Sequence, residues 1–358
     1  MTSSGGCPPR IVSTATANPD HILGPAETKE QLQRVFGGAY SDLNRARRMV
    51  DHTGIESRHL AMSVDELVSD RTLETSNAIY LDTARRLATN VSREAVKRAR
   101  LSATDIDYVI SVSCTGYAIP SLDVYISNDL GIRSDARRLP ITELGCGGGA
   151  AGLAFAAEFV RSRPGSVVLL VSVELCSVTF QPADMSWENV IASMLFGDGA
   201  VAAVVTDRAL GPGPAIVADQ THLFPHTTDY MGFTLKGSGL HLVMSPQVPE
   251  TARREYGPLL ADFLHDHDLC QDDLSFYVLH PGGAKILRYL EHYAGVPTHW
   301  LSPARVELAR HGNMSSASVL FVLDEVMTNH QPAPGDLGVL ASLGPGFCAE
   351  LILLRWDG

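Results

Sequence analysis

The sequence lacks closely spaced cysteines. Six cysteines are spread along the 358 residues and none forms a CxxC pair, the spacing typical of zinc and redox sites. Dense disulfide frameworks belong to short secreted chains. We therefore expect no metal site and six free thiols, one of them available for catalysis. The cysteines are Cys7, Cys114, Cys146, Cys176, Cys270 and Cys348.

Charge is also scarce. Only 19% of the residues are charged, and the 28 Lys and Arg are scattered through a chain whose formal net charge is −12. Partners such as nucleic acids or anionic membranes require clustered basic residues. Neither is expected as a main partner, although a local basic patch for a small anionic substrate remains compatible with this composition.

Long apolar runs are missing. The longest ones, such as 166–173 and 337–343, are too short to span a bilayer. Residues 1–10 have neither the basic start nor the apolar stretch of a secretory signal. The sequence therefore predicts no membrane span and a cytoplasmic location.

The 45% hydrophobic content allows a large core in one large or two fused domains. Short apolar runs alternate with helical patterns, which indicates an α/β fold. A turn-rich stretch at 211–214 separates two halves that show a similar alternation of strands and helices. We therefore expect a duplicated fold with domains 1–210 and 211–358. Strands are predicted at 108–113, 138–144, 166–173, 200–205, 215–218, 276–279, 338–342 and 348–355, and helices at 121–130, 150–160, 284–294 and 315–327.

Cys146 lies between a predicted strand and an alanine-rich helix, and glycines surround it. Gly145 and 147–149 remove side chains, so that the chain can turn sharply and a substrate can approach the sulfur. A helix N-terminus lowers a cysteine pKa from about 8.5 to roughly 3.5–7.5. The pattern favours a thiolate nucleophile; a small cysteine packed under a tight turn is the structural alternative.

His280 and Asn313 also lie beside glycines at turns. His280 follows the apolar run 276–279, at the carboxyl end of a strand, where α/β proteins bind ligands. Asn313 precedes a helix and offers an amide N–H₂ group. A structural histidine and an N-cap asparagine explain each residue alone. The inference comes from the set, because Cys146, His280 and Asn313 each lie on a predicted strand-to-helix turn.

This set has the groups that a condensing enzyme needs. A thiolate paired with imidazolium accepts an acyl group from a thioester. Histidine and asparagine N–H groups can then stabilise the enolate formed when a malonyl thioester loses carbon dioxide, and losing one such donor typically costs about 10²–10³ in rate. A cysteine protease also uses Cys and His, but its asparagine orients the histidine. The residues therefore predict a condensing enzyme.

The segments around these residues resemble the type III polyketide synthases of bacterial type, the chalcone-synthase-like family of the thiolase superfamily. The resemblance runs from about Arg45 to the C-terminus. It implies a five-layered αβαβα fold, a homodimer, and condensation of malonyl-coenzyme A onto an acyl-coenzyme A starter, or onto malonyl-coenzyme A itself. It implies no cofactor and no carrier protein, and cyclisation to a pyrone or phenolic product. The segments are LGCG at 144–147, LFGDGA at 195–200, HPGG at 280–283, GNMSSA at 312–317 and GPG at 344–346.

The resemblance also assigns roles to residues outside the catalytic set. It makes Phe196 a gatekeeper between the coenzyme A tunnel and the cavity. It makes Arg45, Arg48 and His52 the basic residues that bind coenzyme A phosphates, and guanidinium suits phosphate geometry. A core aromatic and a solvated helix face are the structural alternatives. The implied cavity positions are Cys114, Thr115, Cys176, Thr179, Phe196, Phe233, Leu242 and Ser315.

Three cavity positions depart from the plant members. Cys114, followed by Thr115, is reminiscent of bacterial tetrahydroxynaphthalene synthases. Phe233 replaces a small residue, and Leu242 replaces a second gatekeeper phenylalanine. Two alternatives stay open from the sequence: a single-condensation enzyme like β-ketoacyl-acyl carrier protein synthase III, and a non-catalytic dimeric binding protein with a degenerate thiolase fold.

Overall fold

The computed structural model describes residues 7–40 and 43–358. The strands are β1 (Arg10–Ala17), β2 (His21–Leu23), β3 (Arg58–Leu60), β4 (Tyr108–Val112), β5 (Arg137–Ile141), β6 (Val167–Leu175), β7 (Asp198–Thr206), β8 (Gly213–Leu223), β9 (Met231–Lys236), β10 (Gly239–Met244), β11 (Leu274–Leu279), β12 (Leu337–Gly344) and β13 (Cys348–Asp357). The α-helices are α1 (Pro25–Phe36), α2 (Asn44–Val50), α3 (Val64–Leu67), α4 (Leu73–Arg98), α5 (Leu122–Leu130), α6 (Gly148–Ser162), α7 (Trp187–Leu195), α8 (Gln247–His265), α9 (Ala284–Tyr293), α10 (Ser302–His311) and α11 (Ser316–Glu325).

Short helical turns complete the described elements. A π-helical turn, Val326–His330, continues α11. The 3₁₀ turns are Ala103–Asp105, Gly145–Gly147, Cys176–Thr179, Gln271–Asp273 and Thr298–Leu301.

The strands pair in a nine-stranded mixed sheet in the order β11-β12-β13-β8-β1-β7-β6-β4-β5, with two small separate pairs, β9–β10 and β2–β3. The large sheet has a weak point between β1 and β8, which pair through Arg10 and Ala215. It therefore consists of two groups of strands joined at one edge.

The two groups repeat one pairing pattern. In the first, β4 and β6 are parallel, while β6–β7 and β7–β1 are antiparallel. In the second, β11 and β12 are parallel, while β12–β13 and β13–β8 are antiparallel. The duplication expected from the sequence pattern is thus present in the topology.

The helices form layers around these strands. Helices α6 and α11 contact each other and strands of both groups, so they lie in the centre. Helices α4 and α5 contact the first group from outside, and α10 contacts β11 of the second. Because β6 and β7 are covered on both faces, all of their residues are buried, which explains their nearly continuous apolar sequences. No described helix is long and apolar enough to cross a membrane.

The predicted strands and helices are confirmed, with small shifts of their ends. The strand expected at 138–144 ends at Ile141, because the chain turns there toward Cys146. The helix expected at 315–327 begins at Ser316 and becomes the π-helical turn after Glu325. The predicted closing strands pair antiparallel as β12 and β13.

Candidate active site

One large cavity of about 1000 Å³ brings together residues from both halves of the chain. All three predicted catalytic residues and every predicted cavity residue line it. Arg45 and His52 line it as well, whereas Arg48 is exposed and is not among its lining residues. The lining includes Cys146, His280, Asn313, Cys114, Thr115, Cys176, Thr179, Phe196, Phe233, Leu242 and Ser315.

Cys146 lies in the 3₁₀ turn Gly145–Gly147, between β5 and α6. Gly145 has φ +47°, and a Cβ atom there would lie 2.6 Å from Cγ of Pro345 in the β12–β13 turn. The hydroxyl of Ser342 donates a hydrogen bond to the carbonyl of Cys146 at 2.6 Å. The nucleophile turn is therefore held by residues of the other half of the chain.

The glycines after Cys146 serve helix packing as well as the turn. A Cβ atom on Gly149 would lie 2.2 Å from the carbonyl oxygen of Ser316. This close approach lets α6 pack directly against the beginning of α11, which places Cys146 near Ser315. The expectation that 147–149 permit a sharp turn and substrate access is therefore incomplete, because Gly149 faces protein.

The Cys146 thiol is buried and contacts the Ser315 hydroxyl at 3.5 Å. Burial raises the pKa of Cys146 to about 11, although the Ser315 hydrogen bond acts in the opposite direction. The expected lowering of this pKa is not borne out, because burial of the sulfur shifts the pKa in the opposite direction. The helix begins only at Gly148, so the sulfur lies just outside its first turn and desolvation dominates.

His280 directly follows β11, and its backbone N–H extends the β11–β12 ladder by donating to Ala341 at 2.9 Å. Its predicted position at the carboxyl end of a strand is confirmed. Burial lowers the pKa of His280 to about 4, so the imidazole is neutral. Among the described residues, its buried Nδ1 has no hydrogen-bond partner. A neutral imidazole can accept the proton of the Cys146 thiol.

The sequence suggested that Asn313 lies on a strand-to-helix turn. In the structure it lies between two helices, α10 and α11. Its backbone forms an isolated parallel bridge with Phe196. Its side-chain oxygen accepts a hydrogen bond from the Ser315 N–H at 2.8 Å, and its amide nitrogen points to the Gly282 carbonyl at 3.4 Å. The amide is thus oriented by Ser315, and it contacts the turn after His280.

Ser315 has a strained backbone. Its φ of 48° is in the left-handed region although it is not glycine, a conformation that costs on the order of 1–3 kcal/mol and tends to occur at functional sites. In this conformation the hydroxyl contacts two sulfurs: Oγ lies 3.5 Å from Sγ of Cys146 and 3.5 Å from Sγ of Cys114. Ser315 therefore links the nucleophile to the second cavity cysteine.

Glu174 is a buried carboxyl behind the cavity that the sequence reasoning missed. It accepts hydrogen bonds from the N–H of Cys114 at 3.1 Å and the hydroxyl of Thr115 at 2.9 Å, and also from Ser316. Burial raises its pKa to about 7. The available signal was the single charged residue of β6, a strand that is apolar apart from Ser172 and Glu174. Glu174 fixes the Cys114–Thr115 segment at the cavity wall.

Another part of the cavity wall comes from the β9–β10 hairpin. Phe233 and Leu242 are direct cross-strand partners there, and both line the cavity. Because the two residues are paired across the hairpin, a substitution at either one changes the same part of the cavity wall. Cys176 and Thr179 belong to one 3₁₀ turn after β6, where Thr179 donates to the Cys176 carbonyl at 2.8 Å.

Cations at the cavity mouth come from two helices. Arg45 of α2 lies over the ring of Trp187, with 5.2 Å between its guanidinium carbon and the ring centroid. Lys285 and Arg288 of α9 also line the cavity. The sequence does not reveal them, because exposed basic residues on an amphipathic helix look like an ordinary solvated face. Within the described residues, no group of three or more His, Cys, Asp or Glu side chains is arranged to hold a metal ion. All six cysteines are free.

Comparison with known proteins gives a consistent relationship. Residues 3–209 match the family of chalcone and stilbene synthases in its N-terminal domain, and residues 215–356 match its C-terminal domain. The 1,3,6,8-tetrahydroxynaphthalene synthase of Streptomyces peucetius subsp. caesius is 37% identical, over 97% of this chain and 93% of its own length. The phloroglucinol synthase of Pseudomonas fluorescens Pf-5 is 30% identical, over 94% of this chain and 97% of its own.

The fold comparison agrees. The crystal structure of 1,3,6,8-tetrahydroxynaphthalene synthase from Streptomyces coelicolor A3(2), a bacterial type III polyketide synthase, superposes with a TM-score of 0.94 at 33% identity. It covers 98% of this chain and 99% of that one. The α/β layers described above are therefore those of a thiolase-like fold.

Proposed function

The chain belongs to the chalcone and stilbene synthase family and is a type III polyketide synthase, a condensing acyltransferase; from this premise we propose roles for its residues and a class of substrates. Cys146 carries the acyl chain. His280 and Asn313 bind the thioester carbonyl of malonyl-coenzyme A during decarboxylation. An acyl-coenzyme A, or malonyl-coenzyme A itself, supplies the starter, without a carrier protein.

The observation that carries this proposal is the orientation of Asn313 in the shared cavity. Its side-chain oxygen is occupied by the Ser315 N–H at 2.8 Å, and its amide nitrogen points toward the Gly282 carbonyl. The amide therefore has the role of a donor near the imidazole. A protease asparagine would instead orient the histidine. Two N–H donors in an enclosed site suit an enolate oxygen.

The loading step uses the two neutral groups. The Cys146 thiol passes its proton to His280 as sulfur attacks the starter carbonyl, a carbon–sulfur bond to Cys146 forms, and the bond to coenzyme A breaks. The leaving coenzyme A thiolate accepts that proton from His280. Burial opposes charge on both Cys146 and His280. The thiolate–imidazolium pair therefore depends on the mutual attraction of its two charges.

The elongation step needs no external base. The bond between the malonyl α-carbon and its carboxylate breaks, carbon dioxide leaves, and the electron pair remains as an enolate whose oxygen is held by His280 and Asn313. The enolate carbon attacks the thioester on Cys146. A carbon–carbon bond forms and Cys146 leaves as the thiolate, ready for another cycle after the chain returns to it.

Phosphate binding is proposed for the cations at the cavity mouth. Arg45 and His52 line the mouth from α2 and the turn after it, and Lys285 and Arg288 line it from α9. Guanidinium groups bind phosphates through paired hydrogen bonds. Arg48 is exposed and contributes at the outer surface. Coenzyme A thioesters are substrates here, and the proposed reaction uses no cofactor.

The product is proposed to be a pyrone or a phenol. Relatives include synthases of 1,3,6,8-tetrahydroxynaphthalene and phloroglucinol. Cys114, within reach of Ser315, supports a cavity like that of the tetrahydroxynaphthalene enzymes. Phe196, whose backbone pairs with Asn313, is placed to act as the proposed gatekeeper, while Phe233 and Leu242 limit the cavity volume.

A homodimer is also part of the proposal. Tyr117 and Ile119, in the loop between β4 and α5, are 64% and 91% exposed, and adjacent exposed apolar side chains favour a protein interface. The domain division at 210/211 and the cytoplasmic location remain predictions from the sequence.

The test is to incubate the pure protein with malonyl-coenzyme A, alone and with acyl-coenzyme A starters, without carrier protein. Mass spectrometry should detect pyrones or phenols, and Cys146→Ala should form none. Products that appear only when a malonylated carrier protein is added would contradict the proposal and favour a synthase III-like condensation. No thioester on Cys146 under any condition would favour a binding protein.

A further inference from the structure

Arg58, the first residue of β3, is a buried arginine among the residues that line the active-site cavity. Its side chain is only 2% exposed. Nη1 donates a hydrogen bond to the carbonyl of Phe196 at 2.8 Å, and Nη2 donates to Oγ1 of Thr28 at 2.9 Å. The Thr28 hydroxyl donates in turn to the carbonyl of Gly24 at 2.8 Å. The guanidinium is therefore fixed between α1 and the segment that contains Phe196.

That segment also holds Asn313. The Asn313 N–H donates to the Leu195 carbonyl at 3.0 Å, and the Gly197 N–H donates to the Asn313 carbonyl at 3.0 Å. These two bonds flank Phe196, whose own carbonyl faces the other way, toward Arg58. Arg58 and Asn313 thus bind opposite edges of one short peptide segment.

Gly312 brings the Asn313 turn directly onto Arg58. A Cβ atom on Gly312 would lie 2.7 Å from the Leu195 carbonyl oxygen and 3.0 Å from Cγ of Arg58. No larger residue fits without moving the turn. The aliphatic part of Arg58 therefore supports the Asn313 turn by packing, while its guanidinium supports Phe196 by hydrogen bonding.

The charge of Arg58 is compensated by Asp198. The buried Asp198 carboxylate accepts hydrogen bonds from the N–H groups of Ala61 at 2.7 Å and Ser177 at 2.8 Å. Burial raises the pKa of Asp198 to about 6 and lowers that of Arg58 to about 10, and each charge favours the other. This through-space compensation leaves Nη1 and Nη2 directed at Phe196 and Thr28.

We infer that Arg58 is a positioning residue for decarboxylation, which holds the Asn313 amide in place through the Phe196 segment. The inference rests on the role proposed for Asn313. Misplacing a reacting group by about 1 Å can cost about 10² in rate, so loss of Arg58 should affect the enolate step. Starter loading should be spared, because the Cys146 turn is held separately by Ser342.

The test compares two rates in the same preparations. One is starter loading, followed as the acyl mass shift of the intact protein, and the other is carbon dioxide release from malonyl-coenzyme A. In Arg58→Met the ratio of decarboxylation to loading should fall by about tenfold. Thr28→Val, which removes only the second anchor of the guanidinium, should lower the same ratio by a smaller factor.

Arg161→Met is the matched control. Arg161 of α6 also donates to a backbone carbonyl, that of Ile216 at 3.0 Å, and pairs with Asp219, far along the helix from Cys146. It should lower thermal stability without changing the ratio. An unchanged ratio in both Arg58→Met and Thr28→Val would overturn the inference, as would an equal loss of both rates in the folded variants. Failure of the wild-type protein to decarboxylate malonyl-coenzyme A would instead refute the proposed function.

Discussion

Replacing Asn313 separates the two proposed half-reactions, and the structure sets the size of the effect. Asn313→Ala removes one of two donors to the enolate oxygen, which should slow decarboxylation by about 10²–10³, or about 2.7–4 kcal/mol. It also removes the acceptor of the Ser315 N–H, now bonded at 2.8 Å. A buried N–H without a partner costs about 1–3 kcal/mol of folding stability.

Asn313→Asp distinguishes these two losses. The carboxyl group keeps the acceptor for the Ser315 N–H with nearly the same shape, so that loss is avoided. Its second oxygen takes the place of the nitrogen that donates to the Gly282 carbonyl and adds a buried charge, so some stability is still lost. It replaces the amide donor with a group that repels the enolate, so decarboxylation should fall at least as far as in Asn313→Ala. Starter loading on Cys146 should remain largely intact in both variants.

The assay measures the acyl mass shift on the intact protein and, separately, carbon dioxide release from malonyl-coenzyme A. Thermal unfolding gives the stability of each variant. The reasoning would be refuted if loading fell in parallel with decarboxylation in Asn313→Asp while the protein remained folded, because the amide would then act on Cys146 rather than on the malonyl carbonyl.

Three further predictions address the nucleophile, the base and the cavity wall. Cys146→Ala should abolish loading, whereas Cys146→Gln should still release carbon dioxide from malonyl-coenzyme A, since His280 and Asn313 remain; full product formation by Cys146→Ala would contradict this. Burial raises the pKa of Cys146, and transfer of its proton to His280 favours the thiolate. In His280→Gln the pH profile of iodoacetamide labelling at Cys146 should therefore lie at higher pH than in wild type. Coinciding profiles would exclude this pairing. Phe233→Gly should shift products toward longer starters or more extensions while loading on Cys146 is unchanged, a selectivity change of about 1–3 kcal/mol. The measurement is the product masses. Unchanged masses from short and long starters would show that Phe233 does not shape the substrate cavity.

The sequence predicted those parts of the site that depend on local pattern. Cys146 and His280 each follow a strand, in glycine-bearing turns, and both are where the pattern indicated. Asn313 was identified by residue type and by resemblance, but its context was wrong. Its pairing with Phe196 joins segments far apart in the chain, and no local pattern encodes such a bridge.

Burial was the second quantity that the sequence could not supply. A cysteine near a helix N-terminus suggested a lowered pKa, yet enclosure of the sulfur raises the pKa to about 11. Likewise, Arg58 and Glu174 read as ordinary polar residues in sequence. Their importance follows from being buried with specific partners, Phe196 and Cys114, which only the assembled layers bring near them.

The low polarity of the cavity has one consequence for all its groups. Burial favours the neutral forms of Cys146 and His280, so a charged pair forms only as the reaction proceeds. The same enclosure strengthens any hydrogen bond to a charge that forms later, because the local dielectric is low. Donors fixed beforehand, such as the Asn313 amide held by Ser315, then stabilise the enolate without reorganising. A site of this kind favours the transition state over the resting state, and its rigidity depends on the buried contacts that surround Asn313.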